Sequence, residues 1–419
     1  MDKILAFLLG IITLGNTLVN IPSSSEDSTV TTETDIIEAQ DNKETVGDNF
    51  TDKLYNLMPK DKNYMYSPFS IKSVLAMAAN GAEGKTRTEI LTVVGIDDLD
   101  KFNSDMSETI KKYSATDLLK FDISNSVWIN TDNADYDFSD TYKNTVEDFY
   151  NGDVGTVTNK TALPVINGWV NEKTQGKIPS VINDSSFDAA LINAIYFKAK
   201  WENMFSKANT KPDIFTDRNG KETEIDFMNS TRKYWYGEKD GVKVLELEYM
   251  TRGTTGDSFK YSEENQVRLD NTSVSMFLLL SDSEIKAPEK LVDELCGNNL
   301  MEYRKVNLSF PKFKIEFSAE ISPALKALGI ESAFSDANFK KMFDKDANTA
   351  ISNVIHKTYI DVDEEGTEAA AVTAIMMAGS AMPKPEEIIE FKADRPFTFL
   401  IRDNISGETF FIGEYAFAE

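Results

Sequence analysis

The sequence holds one cysteine, Cys296, and one histidine, His356. A lone thiol cannot close an intrachain disulfide, and a lone imidazole cannot found a histidine-rich metal centre. No metal and no cofactor is expected. A Ser-His-Asp enzyme would have to use His356, and a Cys-His enzyme would need Cys296 beside it. The runs that would support either chemistry, G-x-S-x-G, H-E-x-x-H and G-x-x-x-x-G-K-[ST], do not occur. Nothing among the acids singles out a catalytic pair, so an enzyme is not expected. Basic residues are also short: 44 Lys and Arg against 69 Asp and Glu give a formal net charge of −25. That balance opposes nucleic acid, anionic membranes and heparin-type polyanions as partners, because all carry the same sign.

What is present points to a folded body behind a polar leader. With 41% hydrophobic residues and 26 Phe in 419 residues, the chain can bury a sizeable core. Residues 1–21 begin with Lys3 and an apolar stretch from Ile4 to Ile12, the charge-then-apolar order of a signal peptide or N-terminal anchor. Residues 22–49 are rich in Ser, Thr, Asp and Glu, with Ile36-Ile37 as the main apolar pair. Such a tail or linker cannot offset its own chain entropy. From Phe50 onward no linker interrupts the pattern, so 50–419 is expected to be one α+β domain.

Within it, Tyr64-Met65-Tyr66 reads as a short strand, and Ser67-Pro68 as the cap and first position of a helix continuing through Ile71 to Ala79. Gly81 to Thr86 breaks that helix, and a further one runs toward Val94. Lys120 to Ile129 alternates as a strand, Thr161 to Thr174 reads as a helix, and Ala189 to Lys198 is apolar on both faces, hence central and covered. Val242 to Tyr249, Val274 to Leu280 and Val354 to Val362 are further strands, and Pro311 marks a bend or edge within Ser309 to Phe317. Phe397 to Ile401 and Thr409 to Tyr415 form a closing hairpin.

One stretch resists a single assignment. Asp363-Glu364-Glu365-Gly366-Thr367-Glu368-Ala369-Ala370-Ala371 continues as small, apolar residues to Pro383. Its alanines suit a helix, while its Thr and Val suit a strand. Read with period two, Thr367, Ala369, Ala371, Thr373, Ile375 and Met377 share one face, small enough to slide between packed neighbours.

These residues, placed directly after His356-Lys357-Thr358-Tyr359-Ile360-Asp361-Val362, resemble the hinge of the serpins, the serine-protease inhibitor superfamily. Other runs agree in order: Tyr66-Ser67-Pro68-Phe69-Ser70-Ile71, Gly81-Ala82-Glu83-Gly84-Lys85-Thr86, Leu191-Ile192-Asn193-Ala194-Ile195-Tyr196-Phe197-Lys198 with Trp201, and Phe391-Lys392-Ala393-Asp394-Arg395-Pro396-Phe397. The resemblance implies a serpin fold with three β-sheets, about nine helices and an exposed reactive-centre loop. It implies a suicide inhibitor whose loop a serine protease cleaves, whereupon the loop inserts as a strand and the protease is caught as an acyl-enzyme. The alternative is a non-inhibitory serpin acting as a binding protein. A monomer, exported by a bacterium to the cell surface or beyond, is expected.

Residue roles follow from the same resemblance. Glu364, Glu365, Gly366, Thr367, Glu368, Ala369, Ala370 and Ala371 form the hinge, with Thr367 the first residue to enter the sheet. Ser67, Ser70, Asn193 and His356 match a polar cluster beneath the sheet's opening point, and Trp201, Lys312 and Glu364 match a group at its top. The usual spacing from Gly366 puts the reactive bond between Ser380 and Ala381, with Met377 and Met382 as alternatives. Small residues there suit an elastase-like or subtilisin-like protease, the methionines a chymotrypsin-like one. Two positions depart from the family pattern: Thr398 stands where an apolar residue is usual, and Arg395 where histidine is common.

Overall fold

The computed structural model describes residues 35–36, 49–114, 119–254, 266–268, 272–346, 349–367 and 387–418. The fold is that of the unit Glu33–Glu419. Three sheets and eight α-helices occur among the described residues.

The strand Ala189–Lys200 is buried along nearly its whole length, as its two apolar faces require. It is a central member of a seven-stranded sheet, ordered Asp35–Ile36, Phe313–Glu320, Asn353–Val362, Gly366–Thr367, Ala189–Lys200, Leu119–Asn130 and Asp153–Val157. A second, nine-stranded sheet carries Glu302–Pro311, the long Glu222–Lys239 and the closing hairpin Phe397–Asp403 with Thr409–Tyr415. Arg252–Thr254 and Gln266–Arg268 make the third.

Pro311 is the corner between the two large sheets. The strand Glu302–Pro311 ends there, the Lys312 N–H donates to the Asp226 carbonyl (2.9 Å), and Phe313–Glu320 starts in the main sheet. The bend expected at this proline is therefore a change of sheet, which fixes Lys312 at the main sheet's end. Around the corner Phe310, Phe313 and Phe397 meet edge to face, with centroids 5.8 to 5.9 Å apart.

Each face of the main sheet is covered by a different device. On one side the helix Pro68–Gly81, buried almost throughout, starts at Ser67, whose hydroxyl accepts from the Ser70 N–H. On the other lie the helix Ala162–Lys173 and its return segment, whose Ile166, Val170 and Ile178 pack with Trp128, Ile192 and Ile355. Asn167 ties the two parts together by accepting from the Val181 and Ile182 N–H groups. Buried Lys357 donates to the Ser180 carbonyl (2.9 Å), pinning the segment to the sheet.

Asp35–Ile36 pairs in parallel with Ala319–Glu320, so a strand lies within the stretch read from sequence as tail or linker.

Candidate functional site

Over most of their length Asn353–Val362 and Ala189–Lys200 pair directly, in parallel, from Asn353 opposite Ala190 to Tyr359 opposite Tyr196. Above that point the two strands part. Thr367 then sits between them, opposite Val362 on one side and Ala199 on the other, both antiparallel. A polar cluster lies under the paired region, and a charged turn lies at the fork.

In the lower cluster, the Ser67 N–H donates to His356 Nε2 (3.0 Å), which obliges that nitrogen to be an acceptor. The proton must then lie on Nδ1, 2.5 Å from the Asn193 carbonyl oxygen to which it donates. The Asn193 amide donates in turn to Ser70 and to Asn125 Oδ1 (2.5 Å), and Asn125 donates to Ser73 (2.8 Å). All four expected residues are brought together, all fully buried. Burial drives the His356 pKa down to about 3, so the imidazole is neutral at any physiological pH. With both ring nitrogens engaged and no solvent access, the chain's one histidine cannot serve as a general base. Asn125 and Ser73 complete the network; sequence reading missed them because isolated polar residues within apolar runs show no partner.

At the fork, Asp363 to Gly366 form a closed turn in which the Asp363 N–H donates to the Gly366 carbonyl (2.9 Å). Asp363 Oδ1 accepts from the N–H groups of Glu365 (2.8 Å) and Gly366 (3.2 Å). The Trp201 indole N–H donates to the Asp363 carbonyl, and the Trp201 and Phe205 backbone N–H groups donate to the carbonyls of Glu365 and Glu364. Every carbonyl of the turn is thereby held. Gly366 is obligatory here: its φ is +153°, and a Cβ would lie 2.1 Å from the Ala199 carbonyl oxygen.

Two carboxylates are buried in this turn. Glu364 accepts from the Thr210 hydroxyl (2.7 Å) and pairs with Lys312 (3.1 Å), so the expected trio of Trp201, Lys312 and Glu364 lies in one place. Burial pushes the Glu364 carboxyl up, but the Thr210 hydroxyl, its own N–H and Lys312 together bring it below its ordinary value. Glu365 accepts from Lys207 (2.9 Å), and its second oxygen is buried without a hydrogen-bond partner. Thr367 is fully buried, its hydroxyl sharing a hydrogen bond with the Tyr249 phenol (2.8 Å), whose ring stacks on Trp201 at 4.5 Å. Lys207, Thr210 and Tyr249 carry no sequence signal, since they reach the hinge from more than a hundred residues away. Glu368, Ala369, Ala370, Ala371, Met377, Ser380, Ala381 and Met382 lie outside the described residues.

A body built on two large sheets, with a hinge turn starting a strand at the fork of the main one, defines a class, and comparison with known proteins gives the same one. The family model "Serpin (serine protease inhibitor)" matches residues 45–416. Serpin-Z7 of Hordeum vulgare is 31% identical over 378 residues, 84% of this chain and 89% of the relative. An uncharacterized serpin-like protein of Thermococcus kodakarensis is 31% identical over 414 residues, 94% of this chain and 90% of the relative. Among solved structures, the thermophilic serpin tengpin in its native state is similar with a TM-score of 0.75 at 29% identity, over 91% of this chain and 98% of that one. The chain belongs to the serpin family, whose members are typically protease inhibitors rather than catalysts.

Proposed function

We propose that the protein is a suicide inhibitor of serine endopeptidases, cleaved in the loop after Thr367 and trapping the protease as a covalent acyl complex while the loop enters the main sheet. The observation that carries this reading is Thr367, seated between Val362 and Ala199 at the end of a fully bonded turn. A strand that starts between two neighbours can lengthen only by separating them further, along the line where Asn353–Tyr359 now pairs with Ala190–Tyr196. About fifteen inserted residues at roughly 3.3 Å each would carry the cleaved end of the loop on the order of 50 Å. No charged or proline residue stands at Gly366 or Thr367 to obstruct entry, which favours inhibition over a purely binding role.

Ser380–Ala381 is the proposed reactive bond and an elastase-like or subtilisin-like enzyme the proposed target, with Met377 or Met382 the alternative sites, for a chymotrypsin-like enzyme. Action outside the cell or at its surface is part of the proposal, resting on the N-terminal apolar segment Ile4 to Ile12. The bacterial source expected from sequence gains no support from the plant and archaeal relatives. Incubation with subtilisin or neutrophil elastase is expected to give an SDS-stable adduct of the summed mass. A product that is only nicked, with no adduct from any of the three protease classes, overturns the proposal. N-terminal sequencing of the released fragment then reads the bond.

A further inference from the structure

The hinge turn is held by two lysines set in different local structure. Lys312 occupies the corner between two long strands. Lys207 opens a short 3₁₀ turn, Lys207–Asn209, that joins Ala189–Lys200 to Lys211–Thr216. The ammonium of Lys207 stands in solvent, with 64% of its side chain exposed, whereas the Glu365 side chain it meets at 2.9 Å is only 7% exposed. Glu365 Oε2 finds no hydrogen-bond partner in its buried site. The neighbouring carboxylates Asp363 and Glu364 add negative charge beside it, and the Glu364 charge is already shared with Lys312 and Thr210. Leaving a buried carboxylate uncompensated is strongly unfavourable, so loss of Lys207 would favour any arrangement that returns Glu365 to water. Because Glu365 immediately precedes Gly366 and Thr367, that arrangement withdraws the first inserted residue from the fork.

We infer that Lys207 is a positioning residue for loop insertion: its ion pair with Glu365 keeps the hinge turn seated, so that Thr367 already marks the start of the new strand when the loop is cut. The inference rests on the inhibitor reading above and deepens it. Insertion competes with escape of the protease from the acyl stage, and a hinge that must first return to the fork loses time in that race. Because Lys207 is exposed, its grip is screened by salt, the screening length being about 10 Å at 0.1 M ionic strength.

The test measures the stoichiometry of inhibition with subtilisin. In parallel, the gain in thermal stability is timed after thermolysin, which forms no acyl-enzyme, nicks the loop. Lys207→Met is expected to raise the stoichiometry about fivefold, between the small effect of an exposed pair and the large one of a buried pair. It should also slow the post-nick gain by a similar factor, with an unchanged urea midpoint before nicking. Lys207→Arg should retain wild-type behaviour. In a Glu365→Gln background, Lys207→Met should have no further effect, and 0.5 M NaCl should bring the wild type toward the Met variant. Unchanged stoichiometry in Lys207→Met, or the same increment with Gln at 365, overturns the inference. If the wild type forms no adduct yet gains stability after nicking at a rate that depends on Lys207, the inhibitor reading falls and the positioning role stands.

Discussion

The main sheet is fastened at two heights by different chemistry. The lower fastening, Ser67, Ser70, Asn125, Asn193 and His356, is neutral, fully buried and made of directed hydrogen bonds with short reach. The upper one, Glu364 and Glu365 with Lys312 and Lys207, is charged and reaches solvent through its lysines. A neutral network in a dry site responds to protonation and to lost partners, but hardly to salt. An ion-paired turn at the rim responds to salt and to removal of a countercharge. The difference teaches that one sheet is held at two heights by interactions that answer to different perturbations and are carried by separate residues.

The sharpest way to break that separation is to put charge where the fork is neutral. Thr367→Arg places an unpaired guanidinium between Val362 and Ala199, a penalty of about 3–5 kcal/mol. It should turn an inhibitor into a substrate, seen as complete loop cleavage without adduct on denaturing gels; undiminished adduct would disprove insertion through this gap. Next in size is Asn193→Ala. It takes the Asn193 partner from the His356 Nδ1–H, the Ser70 hydroxyl and Asn125 Oδ1 in the dry cluster and should lower stability by about 2–3 kcal/mol in urea titration. A loss under 0.5 kcal/mol would show that the lower fastening holds nothing.

Acid provides a third test of the contrast. The folded pKa of His356, about 3, lies below the unfolded value of 6.5, so on acidification the unfolded chain takes up a proton first. The contribution is therefore complete above pH 6.5 and is lost as pH falls toward the folded value. By linkage the loss reaches about 2 kcal/mol at pH 5 relative to pH 7. Asp52, raised to about 6 mainly by burial, acts in the opposite sense over the same range. The measurement is thus the difference between wild type and His356→Gln across pH 5 to 7, and parallel curves would contradict the assignment. The smallest effect belongs to the rim: Lys312→Met, which leaves Glu364 its Thr210 partner, should destabilise by about 1 kcal/mol. Raising NaCl should narrow the gap between it and wild type while leaving Asn193→Ala untouched.

Much of this arrangement was legible in the chain. Ser67-Pro68 announces a capped helix start, and the double apolar face of Ala189 to Lys198 announces a covered central strand; of the stretch read as written for burial, Gly366 and Thr367 are buried and the alanines lie outside the described residues. The lower cluster was legible only through family resemblance, since four polar residues scattered from Ser67 to His356 have no local reason to meet. Lys207, Thr210 and Tyr249 stayed invisible because their roles depend on where a turn and a strand end come to rest. Pro311 marks a bend or edge in the sequence, and the structure makes it the crossing between two sheets. Asp35–Ile36 pairs in parallel with Ala319–Glu320 at the edge of the main sheet, within the stretch read as a tail or linker.

The parallel pairing of Asn353–Tyr359 with Ala190–Tyr196 has an energetic meaning of its own. Parallel ladders have slanted hydrogen bonds and are slightly less stable per residue than antiparallel ones. A strand running on from Thr367 would be antiparallel to both neighbours, as Thr367 itself already is. Each step of such growth would exchange one slanted ladder for two straight ones. On this geometry the centre of the sheet is bridged by its weaker bonds, and growth of a strand from Thr367 would replace them with stronger ones.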